Sequence, residues 1–272
     1  MEDGKGRLTS GTRMVGTKKS LGQHWLKNRK ILEEIAELAG GGIDVGASEI
    51  TEKTAVETCL EIGPGLGTLT SSLFRRFNKV IAVEYDERLA ENLPKSFPGK
   101  NLEVICGDIL EYDFERIKEP YVVAGNIPYY ITSPIIEKLL TTENLPVRVV
   151  LLMQKEVAER IVSEKETMLS LFVKNRAKVE LGPVVLRDEF TPSPKVDSQV
   201  LVLEPHAPEL DEAVFKIIQQ AFRAPRKKLV HNLAGMKSRE EMMGILKSLG
   251  INEDVRPGDL HLSEYKKLYD IM

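Results

Sequence analysis

The sequence predicts an α/β fold with a mainly parallel sheet, followed by a small all-helical unit. Between about residues 55 and 161, short apolar runs alternate with amphipathic helical patterns, and such alternation is typical of a parallel sheet with helices on both faces. Several of these runs end in loops that contain glycine or asparagine. From residue 211 onward, helical patterns succeed one another without strands between them. These observations predict a sheet domain with a helical C-terminal domain.

The elements can be assigned in chain order. An amphipathic helix is predicted over residues 28–39, where Ile31, Ile35 and Leu38 share one face. Strands are predicted over residues 55–62, 79–84, 102–106, 121–124 and 148–153. Helices are predicted over residues 68–77, 87–96, 134–140 and 154–161. Residues 170–180 fit a helix or a strand, and residues 182–186 and 199–203 are predicted to pair as an antiparallel hairpin at a sheet edge.

The domain organisation follows from these elements and from composition. Residues 1–20 are rich in Gly, Ser, Thr, Lys and Arg and are predicted to be a flexible basic arm. A proline-containing linker over residues 204–209 precedes three predicted helices, over 211–222, 240–249 and 263–271. We therefore expect a main domain over residues 21–204 and a helical domain over residues 205–272.

The composition argues against several classes of protein. No apolar run in the 272 residues approaches the roughly 20 that a membrane span needs, and no apolar stretch follows the first basic residues, so a secretory signal is not expected. Cys59 and Cys106 lie in or beside apolar runs and are predicted to be buried thiols in a reducing compartment. No Cys and His residues have metal-ligand spacing. We expect a cytoplasmic monomer with no metal and no membrane partner.

Charge is distributed unevenly along the chain. The net charge is −3, yet residues 1–30 contain eight Lys or Arg and only two acidic residues. A basic segment on an acidic body is the layout expected when one face meets phosphate. A solvated basic tail without a partner explains the same charges, and charge alone does not decide between the two.

A glycine loop follows the first strand of the predicted sheet. The run Glu61-Ile62-Gly63-Pro64-Gly65-Leu66-Gly67 has the spacing Gly-x-Gly-x-Gly, one residue shorter than the dinucleotide fingerprint. Glycines allow a sharp turn and a close approach of the backbone to a ligand. Glu84 ends the next strand, where an acid can accept hydrogen bonds from both hydroxyls of a ribose. Asp108 follows the third strand and can accept from an adenine amino group.

Together these residues predict a site for an adenosine-containing ligand. Each residue also has a purely structural explanation: the loop as a turn, Glu84 as a surface or capping carboxylate, and Asp108 as a helix cap. Their occurrence at successive strand ends favours the ligand. It does not by itself distinguish S-adenosylmethionine from a nicotinamide cofactor.

The loop Asn126-Ile127-Pro128-Tyr129-Tyr130, which follows the fourth strand, favours S-adenosylmethionine. The lone pair of an aromatic amine is delocalised into its ring, and two hydrogen-bond acceptors can localise it. The side-chain oxygen of Asn126 and the carbonyl of Ile127 could each accept one N6 hydrogen of adenine. Pro128 fixes the backbone so that this carbonyl is held in place, and Tyr129 could stack on an adenine taken out of its helix. An ordinary Asn-x-Pro turn is the alternative.

A second basic cluster follows the first C-terminal helical pattern. Arg223, Arg226, Lys227 and Lys228 supply four positive charges within six residues. We expect them to contact phosphate. The alternative is a helix C-terminus with cations that interact favourably with its dipole.

At this point the sequence resembles the KsgA-like ribosomal RNA small-subunit adenine N6-dimethyltransferase family over nearly all of residues 17–272. The matching runs are residues 18–26, 61–67, 83–86, 107–109, 126–134, 153–158, 190–198 and 226–228. Trp25 stands where the family usually has Phe, and we expect it to wall the cofactor in the same way. Residues 41–58 look like an insertion before the first strand.

The resemblance implies a Rossmann-like class I methyltransferase sheet with a helical C-terminal domain that binds rRNA. It implies S-adenosylmethionine as cofactor, with contacts from His24, Leu26, Gly63, Glu84, Asp108 and Asn126. The spacing of the glycine loop predicts that Gly65 contacts the cofactor as well. The resemblance further implies that Asn126 and Tyr129 serve the target adenine, and we expect Phe190 to contact the substrate as well. The implied reaction is dimethylation of two adjacent adenosines near the 3′ end of small-subunit rRNA, in an immature small ribosomal subunit.

Three other functions remain open on the sequence. The first is a related N6-adenine methyltransferase that acts on large-subunit rRNA, which the helical tail and the run ending at Ser198 disfavour. The second is a ribosome-assembly factor with little catalytic role, against which Asn126 and Glu84 argue. The third is a nicotinamide oxidoreductase, which the glycine spacing and the Asn126 loop disfavour.

Overall fold

A computed structural model describes residues 23–41 and 56–272. The predicted basic arm at residues 1–20 and most of the predicted insertion at residues 41–58 lie outside the described residues. The strands are β1 (Trp25–Leu26), β2 (Thr58–Ile62), β3 (Lys79–Glu84), β4 (Leu102–Cys106), β5 (Tyr121–Asn126), β6 (Arg148–Gln154), β7 (Ala177–Val185), β8 (Phe190–Thr191) and β9 (Ser198–Pro205).

Ten α-helices occur in the described part of the chain. They are α1 (Arg29–Gly40), α2 (Thr68–Leu73), α3 (Glu87–Ser96), α4 (Thr132–Leu139), α5 (Lys155–Val162), α6 (Met168–Lys174), α7 (Glu212–Ala221), α8 (Leu229–Leu233), α9 (Arg239–Ser248) and α10 (Leu262–Ile271). Most begin and end within a few residues of the predicted bounds. The short helix α8 was not predicted.

Seven strands form one sheet in the order β4-β3-β2-β5-β6-β9-β7. The strands from β4 to β6 are parallel, whereas β9 is antiparallel to both β6 and β7. The predicted α/β class with a helical tail is therefore confirmed. The predicted hairpin is confirmed as the β7–β9 pair, with β7 at the sheet edge and β9 inside the sheet.

The central strands are buried on both faces. On β2, Leu60 contributes to one apolar cluster and Cys59 to the cluster on the opposite face. On β5, Val123 and Val122 divide in the same way. This alternation follows from the two-residue period of a strand, and each fully buried Val, Leu or Ile stabilises the fold by about 1.5–3 kcal/mol. Helices on both faces of the sheet supply the other half of each cluster.

Residues 170–180 contain both of the structures that the sequence left open. The Thr167 hydroxyl accepts a hydrogen bond from the Ser170 backbone N–H, and the Ser170 hydroxyl accepts from the Thr167 N–H, which begins α6. This helix ends at Lys174, and β7 begins at Ala177. The expectation for Cys106 was wrong: Cys59 is buried, but Cys106 is exposed because β4 is an edge strand.

The helices after β9 bury an apolar cluster of their own, which includes Phe215, Leu233 and Leu268 and is joined by Leu171 from α6. Polar contacts attach this helical part to the sheet domain. The buried Glu166 carboxylate accepts from Lys174 Nζ at 2.8 Å and contacts His261 Nδ1 at 3.0 Å. The predicted domain boundary at residues 204/205 stays a prediction. Among the described residues, no helix is both long and apolar enough to span a membrane.

Candidate active site

The loops that carry the predicted site residues meet where the sheet changes direction. From β2 the chain proceeds to β3 and β4 on one side, and β5 and β6 lie on the other side. Ile62 is paired with Gly125, so the glycine loop and the Asn126 loop leave neighbouring strands at the same end. Ligands of open α/β sheets bind in the crevice at this switch point. A cavity of about 310 Å³ lies here, lined by residues that follow β2, β3, β4 and β5 and by residues 23–26.

Three glycines shape the loop after β2. Gly63, Gly65 and Gly67 have φ angles of 64°, 57° and 81°, in the left-handed region that other residues rarely adopt. A Cβ at Gly67 would lie 2.8 Å from the Phe97 ring and 2.9 Å from Leu93 Cδ1, whereas one at Gly63 would meet no atom of the described residues within 4 Å. Gly67 thus allows the loop to pack against α3, and Gly63 exposes its backbone to the cavity.

Glu84 is positioned by the backbone around it. Its carboxylate is 6% exposed and accepts hydrogen bonds from the Gly65 N–H at 3.0 Å and the Asp86 N–H at 2.8 Å. Burial raises the pKa of Glu84, and these N–H groups act in the opposite direction. Each carboxylate oxygen accepts one of the two bonds and keeps acceptor capacity. The carboxylate is therefore held in place and suited to accept from a ribose diol.

Two further acids line the same cavity. Asp108 accepts from the Leu110 N–H through Oδ1 at 2.9 Å, so it caps a turn and also faces the site. Glu61 is 1% exposed and accepts from the Thr70 hydroxyl at 2.6 Å. Burial, the Thr70 hydrogen bond and the nearby Glu84 leave the pKa of Glu61 at about 8. Because a pKa near 8 favours the protonated form at pH 7, this acid adds little charge to the site.

Asn126 lies at the end of β5 and lines the cavity together with Gly63 and Glu84. Its side-chain nitrogen donates to the backbone carbonyl of His24 at 2.8 Å. A carbonyl can only accept, so the amide nitrogen must face His24 and the amide oxygen is left to accept from a ligand. Ile127 and Pro128 also line the cavity. The structure therefore brings the two predicted acceptors beside the glycine loop.

Tyr129 is held from two sides. Its hydroxyl is hydrogen-bonded to the Ser198 hydroxyl at 2.8 Å, and its ring stacks with the His24 ring at a centroid distance of 6.2 Å and an interplanar angle of 20°. His24 Nδ1 in turn contacts the Pro192 carbonyl oxygen at 2.7 Å. Burial raises the pKa of Tyr129, so the phenol stays protonated at neutral pH. The ring forms a fixed, half-buried wall of the cavity.

A two-residue strand pair attaches the N-terminal site residues to the fold. Strand β1 pairs antiparallel with β8, with Leu26 opposite Phe190. Leu26 lines the cavity. Phe190 is 2% exposed, packs in the same apolar cluster as Leu26 and does not line the cavity. The structure therefore places Phe190 as a support beneath the site, which differs from the predicted substrate contact.

Three further aromatic residues line the cavity: Trp25, which was expected there, and Tyr85 and Tyr130, whose place in the site the sequence reasoning missed. The indole Nε1 of Trp25 would lie 3.3 Å from a Cβ placed at Gly65, so Trp25 packs directly on the glycine loop. Tyr85 and Tyr130 are each 65% exposed. Each directly follows a residue that the sequence assigned to the site, Glu84 and Tyr129, and this is the signal that could have identified them.

The basic cluster Arg223, Arg226, Lys227 and Lys228 is exposed in the turn between α7 and α8. The Asn232 side chain holds this turn by donating to the Ala224 carbonyl at 3.0 Å. Lys228 forms an ion pair with Asp254. None of the four residues lines the cavity, so they form a separate surface.

Comparisons with known proteins agree with this geometry. The family model described as ribosomal RNA adenine dimethylase matches residues 14–272. The ribosomal RNA small subunit methyltransferase A of Geobacillus thermodenitrificans (strain NG80-2) is 37% identical over 92% of this chain and 89% of its own length. The enzyme of the same name from Nostoc sp. (strain PCC 7120 / SAG 25.82 / UTEX 2576) is 35% identical over 95% of this chain and 99% of its own length.

Two solved structures share the fold with a TM-score of 0.72 each. One is a dimethyladenosine transferase from Plasmodium falciparum, 28% identical over 89% of this chain and 95% of its own. The other is the 23S rRNA methyltransferase ErmE, which is 26% identical over 90% of this chain and 98% of its own. The predicted methyltransferase fold is thereby confirmed. The extent of the family match and the identity to curated relatives show that this chain belongs to the ribosomal RNA adenine dimethylase family.

Proposed function

We propose that the protein transfers methyl groups from S-adenosylmethionine to the N6 amines of two adjacent adenosines near the 3′ end of small-subunit rRNA, giving N6,N6-dimethyladenosine. One observation carries this proposal: Asn126 and Ile127 line the same cavity as Gly63 and Glu84. The hydrogen-bond acceptors for the target amine therefore lie in the same cavity as the residues predicted to bind an adenosine-containing ligand. The family to which the chain belongs uses S-adenosylmethionine as methyl donor.

The residues present fit that donor. Gly63 and Gly65 line the cavity and have left-handed backbone conformations. The buried Glu84 carboxylate can accept further hydrogen bonds from ribose hydroxyls. We assign His24, Leu26, Gly63, Gly65, Glu84, Asp108 and Asn126 to the cofactor. When bound, S-adenosylmethionine supplies an electrophilic methyl group on a sulfonium.

The protein's part in the reaction is to position the amine. Asn126 keeps its side-chain oxygen available because the amide nitrogen is engaged with the His24 carbonyl. That oxygen and the Ile127 carbonyl oxygen each accept a hydrogen bond from one N6–H of the adenine. These two hydrogen bonds localise the lone pair on the nitrogen. Pro128, with φ −61° and ψ 134°, fixes the backbone beyond the Ile127 carbonyl. Positioning of this kind supplies a large part of the rate enhancement.

Tyr129 holds the target base. Its ring is already ordered by His24 and Ser198, so stacking of an extrahelical adenine on it requires little further ordering. The first methyl transfer would release the demethylated donor and one proton from the nitrogen, and would leave a secondary amine with one N–H. Only one of the two acceptor bonds remains for the second transfer, so the stacking contact carries more of the positioning in that step.

The rRNA partner binds through phosphate contacts outside the cavity. We assign Arg223, Arg226, Lys227 and Lys228 to this contact, since all four are exposed and share one turn. The predicted arm at residues 1–20 is a second basic segment. We propose that residues 205–272 form the rRNA-binding domain, and that the protein acts as a cytoplasmic monomer on an immature small ribosomal subunit.

Two competing functions differ in target or in chemistry. The 23S rRNA methyltransferase ErmE is 26% identical to this chain, whereas relatives named as small-subunit rRNA methyltransferases reach 37%. This difference favours small-subunit rRNA over large-subunit rRNA. A ribosome-assembly factor without catalysis would not need the ordered Asn126 side chain, which favours an enzyme.

The test is methylation of immature ribosomal subunits. Purified full-length protein is incubated with labelled S-adenosylmethionine and immature small or large subunits, and modified nucleosides are mapped. N6-Dimethyladenosine at adjacent positions near the 3′ end of small-subunit rRNA supports the proposal. Label in large-subunit rRNA, or tight binding to the small subunit without label, would overturn it.

A further inference from the structure

Two exposed tyrosines stand at the mouth of the cavity. Among the large hydrophobic side chains of the described residues, Tyr85 and Tyr130 are the most exposed, at 65% each. Both line the same cavity. They follow β3 and β5, the two strands that flank β2, so they lie on either side of the glycine loop. Single exposed aromatics are ordinary on protein surfaces, but two at one cavity mouth point to flat ligands there.

The two tyrosines belong to different halves of the site. Tyr85 directly follows Glu84, the residue that we assign to the cofactor ribose. Tyr130 directly follows Tyr129, the residue that we assign to the target base. Tyr130 therefore belongs to the RNA side of the cavity.

Hydrogen bonds hold the backbone turn that carries Tyr130, although its side chain is exposed. It lies in a single 3₁₀ turn, Tyr129–Ile131, in which the Ile131 N–H donates to the Pro128 carbonyl at 3.2 Å. The Thr132 hydroxyl donates to the Tyr129 carbonyl at 3.1 Å. The neighbouring ring, Tyr129, is fixed by Ser198 and His24 and is already assigned to the target base. Tyr130 thus offers a second aromatic ring, on the residue that directly follows Tyr129.

The chemistry of a base taken out of its stack identifies what this second ring would meet. When the target adenosine enters the cavity, the adjoining nucleotide stays outside and loses one stacking partner. An aromatic side chain at the mouth can replace that partner, because every base has a π face. We propose that Tyr130 stacks on the base of the nucleotide that adjoins the target adenosine and thereby positions the RNA. This inference rests on the proposed function.

The experiment compares Tyr130→Ala and Tyr130→Phe with the wild type, using full-length protein and immature small subunits. Leu181→Ala is the control, since Leu181 is also an exposed apolar side chain, at 38%, but lies on β7 in the sheet domain and does not line the cavity. A second substrate carries rRNA in which one of the two adjacent target nucleotides is abasic, so that methylation of the other is measured without its adjoining base. Steady-state kinetics give kcat and separate KM values for the subunit and for S-adenosylmethionine.

We expect Tyr130→Ala to raise the KM for the subunit about 10-fold, the effect of losing one base–aromatic stack. The kcat and the KM for S-adenosylmethionine should change little, and Tyr130→Phe and Leu181→Ala should behave as wild type. On the abasic substrate, wild type and Tyr130→Ala should have equal KM values.

An unchanged KM in Tyr130→Ala, or an equal loss on both substrates, would overturn the assignment of Tyr130. Failure of the proposed function gives a different result. In that case the wild-type protein itself leaves the small subunit unmethylated, which is seen before any variant is compared.

Discussion

The side-chain nitrogen of Asn126 donates a hydrogen bond to the backbone carbonyl of His24 at 2.8 Å. Residues 24 and 126 are far apart in sequence, and the β1–β8 pair holds residue 24 in place. This bond determines which end of the amide faces the cavity. The Asn126 oxygen is consequently presented as an acceptor before any ligand binds, which is the preorganisation that amine positioning requires.

Removing that oxygen should stop methyl transfer without releasing the RNA. We expect Asn126→Ala to lower kcat by about 10²-fold or more, in line with the loss of one preorganised catalytic hydrogen bond. The Kd for the immature subunit should change little, because Asn126 lines the cavity and the residues of the basic cluster do not. Single-turnover methylation and filter binding measure the two quantities.

Asn126→Asp is the sharper variant of the same test. It keeps an oxygen toward the cavity but places a second oxygen against the His24 carbonyl, which has no proton to donate. We therefore expect Asn126→Asp to lose most activity at neutral pH as well. Wild-type turnover in either variant would remove Asn126 from the mechanism.

Alanine substitutions at Gly63 and Gly67 should separate ligand binding from folding. Both glycines have positive φ, so each substitution carries roughly 1–2 kcal/mol of backbone strain. At Gly67 the new Cβ also clashes with Phe97 and Leu93, and overpacking adds about 1–3 kcal/mol. At Gly63 the Cβ meets open space in the cavity.

Gly67→Ala should therefore lower the free energy of unfolding more than Gly63→Ala, as measured by urea denaturation. Gly63→Ala should weaken S-adenosylmethionine binding more than its loss of stability explains, as measured by calorimetry. Equal effects of the two substitutions on both quantities would contradict these assignments.

Glu61 should make the apo protein less stable as pH rises. Its pKa is about 8 in the folded protein against an ordinary value of 4.5. Between these values the unfolded chain has lost the proton that the folded chain keeps. The folded state then binds more protons, so the free energy of unfolding falls as pH increases from about 4.5 to about 8.

Glu61→Gln removes this titration while keeping a side chain of similar shape. We expect the slope of unfolding free energy against pH to be smaller in this variant across pH 5–8, and the remaining slope to include the contribution of Glu84, whose pKa is also raised. Urea denaturation at several pH values gives both slopes. Identical slopes would mean that Glu61 ionises freely in the folded state.

Neutralising part of the basic cluster should change the salt dependence of rRNA binding. For the double variant Arg226→Gln, Lys227→Gln, we expect the slope of log K against log salt to become shallower by about 1–2, because each phosphate contact contributes about 0.7–0.9. The control is Lys266→Gln, Lys267→Gln, which removes two exposed charges from α10 in the same helical part. Equal changes in the two double variants would point to net charge and not to a specific phosphate contact.

The sequence by itself determined much of the site, because strand ends are recognisable locally. The apolar runs before Gly63, Glu84, Asp108 and Asn126 identified four parallel strands, and the carboxyl ends of parallel strands must meet at one edge of the sheet. Periodicity also identified the helical tail. These features depend on residues that are near one another in the chain.

Tertiary structure alone decided the features that depend on distant residues. The bond from Asn126 to His24, the contact of Tyr129 with Ser198 and the burial of Phe190 beneath Leu26 all join segments that are remote in sequence. The exposure of Cys106 depends on β4 being an edge strand, and strand order is not written in any local pattern. A one-dimensional pattern specifies which residues can form an element, but burial and contacts are set only when the elements pack.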